Sequence, residues 1–209
     1  KFWPFSNRAS FPKLMKGDLD IMLSTAYIPE GGWYSDVSKA KWILNLFPSV
    51  KKSIYEQSYF NATYDAIIKM EEQANDWNKN PDNRQIFICR ETADIQKALD
   101  NGDLALIHSV EGAHSLQNNS AKSYPHDISE SYQQKETDAL DNLQKLYDSG
   151  VAYLTLAHFY PNDCAYPVFP WPEYASSHGD WATMLGKWDE TKGLTPIGEK
   201  VVEKMLDLG

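Results

Sequence analysis

Apolar and polar positions along this chain follow two different periods. Nearly unbroken apolar runs of strand length occupy 19–29 (LDIMLSTAYIP), 86–89 (IFIC), 104–110 (LALIHSV) and 151–159 (VAYLTLAHF). Runs of this kind are what strands covered on both faces require. The first is closed by Pro29 and the Gly31-Gly32 pair, residues that favour turns. Between the runs the spacing becomes helical. A stretch from about Val37 breaks near Pro48, and Ile67, Met70, Ala74 and Trp77 then fall on one helix face. Thr92 is placed to cap a short helix carrying Ile95, Ala98 and Leu99, with Gly102 as its stop. Leu140, Leu143 and Tyr147 mark a further helix before Gly150. In the last helix Thr195 is the expected N-cap, Pro196 fits the first turn, and Ile197, Val201, Met205 and Leu208 form the apolar stripe ahead of Gly209.

The predicted order is β-α-β-α-β-α-β-α, which points to an α/β protein with a parallel sheet. A doubly wound sheet and part of a (β/α)8 barrel both produce this order. No Gly-rich phosphate loop follows the first strand, which counts against a nucleotide-binding open sheet. A complete barrel has eight strands and typically about 250 residues, whereas this chain has 209 residues and four strand-like runs. Because it stops on a helix-ending glycine, the chain is expected to be incomplete at its C-terminal end. No internal repeat or low-complexity tract divides it, so residues 1–209 are expected to form one domain.

Composition narrows the function classes. Hydrophobic residues make up 42% and charged residues 23% of the chain, ordinary proportions for a folded globular protein. Twenty basic against 29 acidic residues leave a formal charge of −9. That excess counts against a nucleic-acid or anionic-membrane partner, both of which attract basic surfaces. No apolar stretch approaches the length of a transmembrane helix. The first residue, Lys1, is not an initiator methionine, and the compartment is not legible from it. Cys89 and Cys164 are expected to be unpaired thiols. Many of the seven Trp and twelve Tyr fall in 160–190, where aromatic side chains either line a pocket or pack beneath a long loop.

In parallel α/β proteins the loops at the C-terminal ends of the strands carry the chemistry. The third run ends with His108, Glu111 and His114; the fourth ends with His158, followed by Asn162 and Asp163. Carboxylate and imidazole together at such a mouth suit zinc or a similar cation. Each also has a plainer reading: Glu-Gly after a strand is a common turn, and a histidine on an apolar strand is commonly a hydrogen-bonded core residue. His126 and His178 lie in polar loops, and Asp18 and Asp20 sit at the opposite end of a strand. The chain has no Gly-x-Ser-x-Gly elbow, zinc-finger spacing or His-Glu-x-x-His.

Three stretches, in order, resemble the membrane dipeptidase (renal dipeptidase) family of zinc peptidases in the amidohydrolase superfamily. LALIHSVEGAHSL resembles that family's strand ending in Glu-Gly-Gly-His. SGVAYLTLAHFYPNDCAYP is similar to its strand and loop Gly-x-Arg-Tyr-Leu-Thr-Leu-Thr-His-x-x-Asn, and GLTPIGEKVVEKMLDLG to the helix that follows. More loosely, FPKLMKGDLDIMLSTAYIP resembles the segment around its second strand. The resemblance implies a partial (β/α)8 barrel of about four strand-helix units. It also implies two zinc ions at the mouth and hydrolysis of dipeptides by a metal-bound hydroxide. Glu111 matches the carboxylate that bridges the two metals. His158 matches the histidine that contacts substrate and steadies the tetrahedral intermediate. His108 and His114 are then supporting residues.

The departures from the family pattern are specific. No His-x-Asp metal pair occurs on a strand-like run of this sequence (the one such triplet, His178-Gly179-Asp180, lies in the aromatic loop), and the two metal histidines and catalytic aspartate of the family would lie beyond Gly209. The interval between Glu111 and His158 is longer than in the family, which places an insertion at 117–137. Residues 159–194 form an aromatic and Pro-rich loop expected near the mouth and expected to set the substrate. One carboxylate cannot hold two metals, so the chain by itself is expected to be inactive and to need the rest of its barrel, or another copy, to close its sheet. Hydrolysis of another amide, such as an acylated D-amino acid or a lactam, is the alternative within enzymes. A non-catalytic binding domain on the same scaffold is the alternative outside them.

Overall fold

The computed structural model describes residues 10–36, 42, 46, 48–123, 131–167 and 193–209. A short helix α1 (Phe11–Lys16) leads into strand β1 (Ile21–Ala26). Helices α2 (Gly31–Asp36) and α3 (Pro48–Lys51) follow, then a π-helical turn, Lys52–Glu56, and the long α4 (Tyr59–Asn78). Next come β2 (Ile86–Cys89), α5 (Thr92–Asp100) and β3 (Leu104–Glu111). Helix α6 (Tyr132–Asp148), β4 (Val151–Thr155) and α7 (Pro196–Leu208) complete the described elements.

All four strands run parallel, with β3 at the centre. β1 lies along one edge of β3, pairing Ile21 to Ala26 with Ala105 to Val110. The other edge is shared end to end: β2 pairs with Leu104 to Ile107, and β4 with His108 to Glu111 after a register shift at His108/Ser109. From β1 the chain therefore steps two places across the sheet, then one back, then one forward. Parallel crossovers are right-handed, so the backward step must put its helix on the opposite face. The packing agrees. Helix α4 contributes Ala74, Met70 and Trp77 to a cluster with Leu104, Leu106 and Ile86. Helices α4, α6 and α7 together pack Phe60, Ile67, Leu143, Leu146 and Val201 with Val110 and Leu154. Helix α5 instead sets Ala98 and Ile95 against Cys89, Ala105 and Ile107, which point the other way along β2 and β3.

The α/β class with parallel strand-helix units is therefore present. The expected sequence of adjacent barrel units is corrected in one unit: β1 neighbours β3 rather than β2, and α5 lies on the face opposite the other helices. Periodicity gives the length and face of each element but does not say which edge of β3 a strand will take.

Local signals place most of the ends. Ser58, Ser131 and Thr195 accept N-terminal amides of α4, α6 and α7, and Pro196 occupies the first turn of α7. The cap of α5 is a correction. Thr92 is its first helical residue and Glu91 is the N-cap, exchanging a reciprocal capping box with Asp94. β4 is also shorter than the apolar run, ending at Thr155, so His158 lies in the loop beyond it. Cys89 and Cys164 are both free and buried. Of the expected insertion, 124–130 lies outside the described residues, and 131–137 caps and begins α6. Residues 168–192 of the aromatic loop, with His178, lie outside them too, as do His126 and the helical stretch expected from Val37 to about 47, apart from residues 42 and 46.

Candidate functional site

Side-chain alternation along β3 separates residues that the sequence places together. Residues three apart on a strand face opposite ways, so His108 points toward the helices and Glu111 toward the other face. His108 is fully buried, with Nε2 3.4 Å from Oε1 of Glu71, whose carboxylate also binds Arg90 at 2.7 Å. Burial lowers the His108 pKa, and the Glu71 charge opposes this only in part. His108 is thus corrected from a supporting residue of the mouth to a core residue beneath α4.

Glu111 ends β3 opposite Thr155 of β4. The next residue, Gly112, has φ +90°, and a Cβ there would fall on the His114 ring. Only glycine meets both conditions. The chain can then turn: the Gly112 amide donates to Oγ1 of Thr155 at 2.7 Å, and Ala113–Leu116 form a 3-10 turn. This turn buries His114 between Tyr59 and Tyr27, with ring centroids 5.0 and 6.2 Å away. Its Nε2 lies 2.7 Å from the Ile28 carbonyl, and burial lowers its pKa.

His158 comes to the same place from the loop after β4. Its Nε2 is 3.4 Å from Oε1 of Glu111, so the two residues singled out in the sequence do meet. Glu111 remains 40% exposed at its side chain, whereas His158 is 17% exposed; the carboxylate is the more accessible partner.

Glu30, in the loop after β1, was given no role by the sequence reading. It is 3% exposed, and its Oε1 receives Nδ1 of His158 at 2.9 Å and the Phe159 amide at 3.0 Å. Tyr27 donates its hydroxyl to Oε2 at 2.6 Å. Burial alone would raise the Glu30 pKa, but the His158 hydrogen bond, the neighbouring His114 and His158 rings and the Tyr27 hydroxyl more than reverse it and hold the pKa at about 2. A buried carboxylate carrying this many donors is a fixed negative charge. The signal for it lies in the sequence, because Glu30 is the first acid after the first strand-like run, the kind of position that Glu111 holds on the third.

Other polar side chains are occupied elsewhere. Asn162 folds its own loop, donating to the Leu156 carbonyl at 2.9 Å and accepting from the amides of Cys164 and Ala165 at 2.8 and 3.0 Å. Asp163 pairs with Lys135 at 3.2 Å. Asp20 receives Arg84 at 2.7 Å at the N-terminal ends of the strands. Burial pushes the Cys164 thiol up to about 12, which removes it as a thiolate nucleophile.

Among the described residues, no group of three or more His, Cys, Asp or Glu side chains is placed to hold a metal ion. Glu30 is saturated with donors and His114 is committed to a carbonyl, which leaves Glu111 as the accessible acid. A cavity of about 440 Å³ lies between the end of β2 and the start of β4, lined by Arg90, Ile95, Tyr147 and Tyr153 but by neither Glu111 nor His158. That cavity is therefore not where Glu111, His158 and Glu30 converge, and the converging side chains define the candidate site. No described helix is long and apolar enough to cross a membrane.

No protein-family model matches this chain, and no curated protein matches it in sequence. Among solved structures it is similar to an amidohydrolase from Pseudomonas aeruginosa, with a TM-score of 0.54 and 16% identity. The match covers 98% of this chain and 41% of that one, so the chain spans about two-fifths of the length of the enzyme it matches. At this identity the likeness is one of fold: a parallel α/β arrangement shared with part of an amidohydrolase.

Proposed function

We propose that this chain supplies part of an amide-hydrolysing centre of the membrane dipeptidase kind, with dipeptides as substrates. The observation that carries this reading is the convergence of Glu111, His158 and Glu30 at the C-terminal ends of β3, β4 and β1. The fold likeness to part of an amidohydrolase and the three family-like stretches support it. In this reading β1, β3 and β4, with α4 and α6 on one face, correspond to adjacent units of a barrel, and β2–α5 is an added unit. The face of the sheet that bears Glu111 would then be the inner one. It exposes Leu23 at 56% and Tyr153 at 57%, apolar side chains that further strands, from the rest of the barrel or another chain, would cover.

The described residues do not by themselves form a metal centre, so no step is routed through one. Two zinc ions, if bound, would share Glu111 and take their other ligands from outside these residues; such ions supply Lewis acidity and an activated water. The chain's own residues perform simpler tasks. Glu111 offers a partly exposed carboxylate at the mouth. His158 offers Nε2 on the same side, where the ring, once it carries a second proton, can donate to a substrate oxygen. Gly112 keeps the backbone between them free of a side chain.

Anomalous scattering at the zinc edge from crystals of the intact protein tests the metal assignment. Zinc peaks at bonding distance from the Glu111 carboxylate are expected. A zinc-saturated protein with no peak on Glu111 would overturn it.

A further inference from the structure

Two imidazoles at the mouth are anchored through opposite ring nitrogens, and both anchors come from one short loop. His158 is held at Nδ1 by Glu30, at 2.9 Å, and His114 at Nε2 by the Ile28 carbonyl, at 2.7 Å. We propose that the loop Tyr27–Glu30 fixes the orientation and proton position of both rings, with Glu30 the positioning residue for His158.

Both anchors are acceptors only: a carbonyl oxygen and an ionised carboxylate have no proton to give. Each ring nitrogen facing one must therefore carry the hydrogen, which makes His158 the Nδ1–H tautomer and His114 the Nε2–H tautomer when uncharged. For His158 two carboxylates compete. Nδ1 meets Glu30 with hydrogen-bond geometry at 2.9 Å, whereas Nε2 approaches Glu111 at 3.4 Å as a charge contact only. N–H···O hydrogen bonds span about 2.7 to 3.2 Å, so the Glu30 contact decides.

Glu30 cannot easily turn away. The Phe159 amide shares its Oε1 and the Tyr27 hydroxyl occupies Oε2. The ring also packs against Tyr27, tilted at 4.6 Å, and against Phe159, edge to face at 4.2 Å between centroids. The consequence is directional. With Nδ1 committed, Nε2 is the nitrogen His158 turns to the mouth. His114, with Nε2 committed, keeps its Nδ1 edge against Gly112 and is a supporting ring. Only the use of Nε2 toward substrate rests on the hydrolase reading; the tautomers follow from the acceptors themselves.

The test is long-range ¹H–¹⁵N correlation spectroscopy of the intact protein, labelled at histidine, at a pH where the ¹⁵N shifts show both rings uncharged. The expected spectrum has His158 protonated at Nδ1 and His114 at Nε2. Glu30→Met removes the acceptor at similar volume and should move His158 to the Nε2–H form that free imidazole favours, leaving His114 unchanged. Glu30→Gln keeps an acceptor oxygen and should retain Nδ1–H. A wild-type His158 in the Nε2–H form overturns the proposal, even if Glu30→Met does not fold. So does a folded Glu30→Met that keeps Nδ1–H. None of these readouts depends on hydrolysis, so they fail or hold separately from the proposed activity.

Discussion

Glu30 binds its proton far less readily in the folded chain than a solvated glutamate does, with a pKa of about 2 against an ordinary 4.5. The sign of the linked effect follows. In the unfolded chain the carboxyl takes up its proton near pH 4.5, whereas the folded chain resists until about 2. Its stabilisation is therefore complete above the unfolded pKa and lost as pH falls toward the folded one. Urea-denaturation midpoints measured from about pH 6 down to about pH 3 should fall more steeply for wild type than for Glu30→Gln, which has no proton to bind there. Parallel curves would contradict the fixed-charge description. At this scale the sequence placed Glu111 and His158 at one end of the sheet, and they stand 3.4 Å apart. It failed for Glu30 because a proline and two glycines made its surroundings look like a turn alone. It failed for His108 because position within a motif outweighed the two-residue alternation of a strand.

At the scale of elements, the start of α7 was legible, since a capping oxygen acts within a few residues and Thr195 caps it as expected. At α5 the cap moved one residue because Glu91 and Asp94 satisfy each other's backbone. The end of β4 was less legible, because apolar residues continue past the last pair of the ladder into Leu156 and Phe159. The loop that follows depends on Asn162, which is 6% exposed, gives the Leu156 carbonyl a second donor and supplies the acceptor for the Cys164 and Ala165 amides. Its next contact is α7: the Cys164 carbonyl accepts the Thr195 amide at 2.9 Å, and a Cβ on Gly198 would fall on that carbonyl. Asn162→Ala leaves the buried Cys164 and Ala165 amides unpaired and should cost roughly 2–4 kcal/mol in chemical denaturation, at about 1–3 kcal/mol for each such group less what water recovers. A loss below about 0.5 kcal/mol, the range of neutral surface changes, would show that the loop holds itself.

For the whole molecule, class and element order were legible, and strand order was not. The alternation of periods dictates β-α units, and continuous apolar strands dictate a parallel sheet. Which edge of β3 receives β1, β2 or β4 depends on packing between distant residues, and the backward step from β2 to β3 leaves no mark in local spacing. That step puts α5 beneath the lower part of the sheet face and leaves the upper part, with Glu111, Thr25 and Tyr153, open. Chemistry and uncovered apolar surface thus share one face, as an active centre completed by further chain would require. The most direct test of that account is dipeptide hydrolysis by the intact, zinc-loaded protein, compared between wild type and Glu111→Gln. The account predicts turnover by the wild type and a loss of about a hundredfold or more in the variant, the scale on which removing a group that stabilises transition-state charge acts. Equal turnover by the two proteins, with both folded and zinc-loaded, would contradict it.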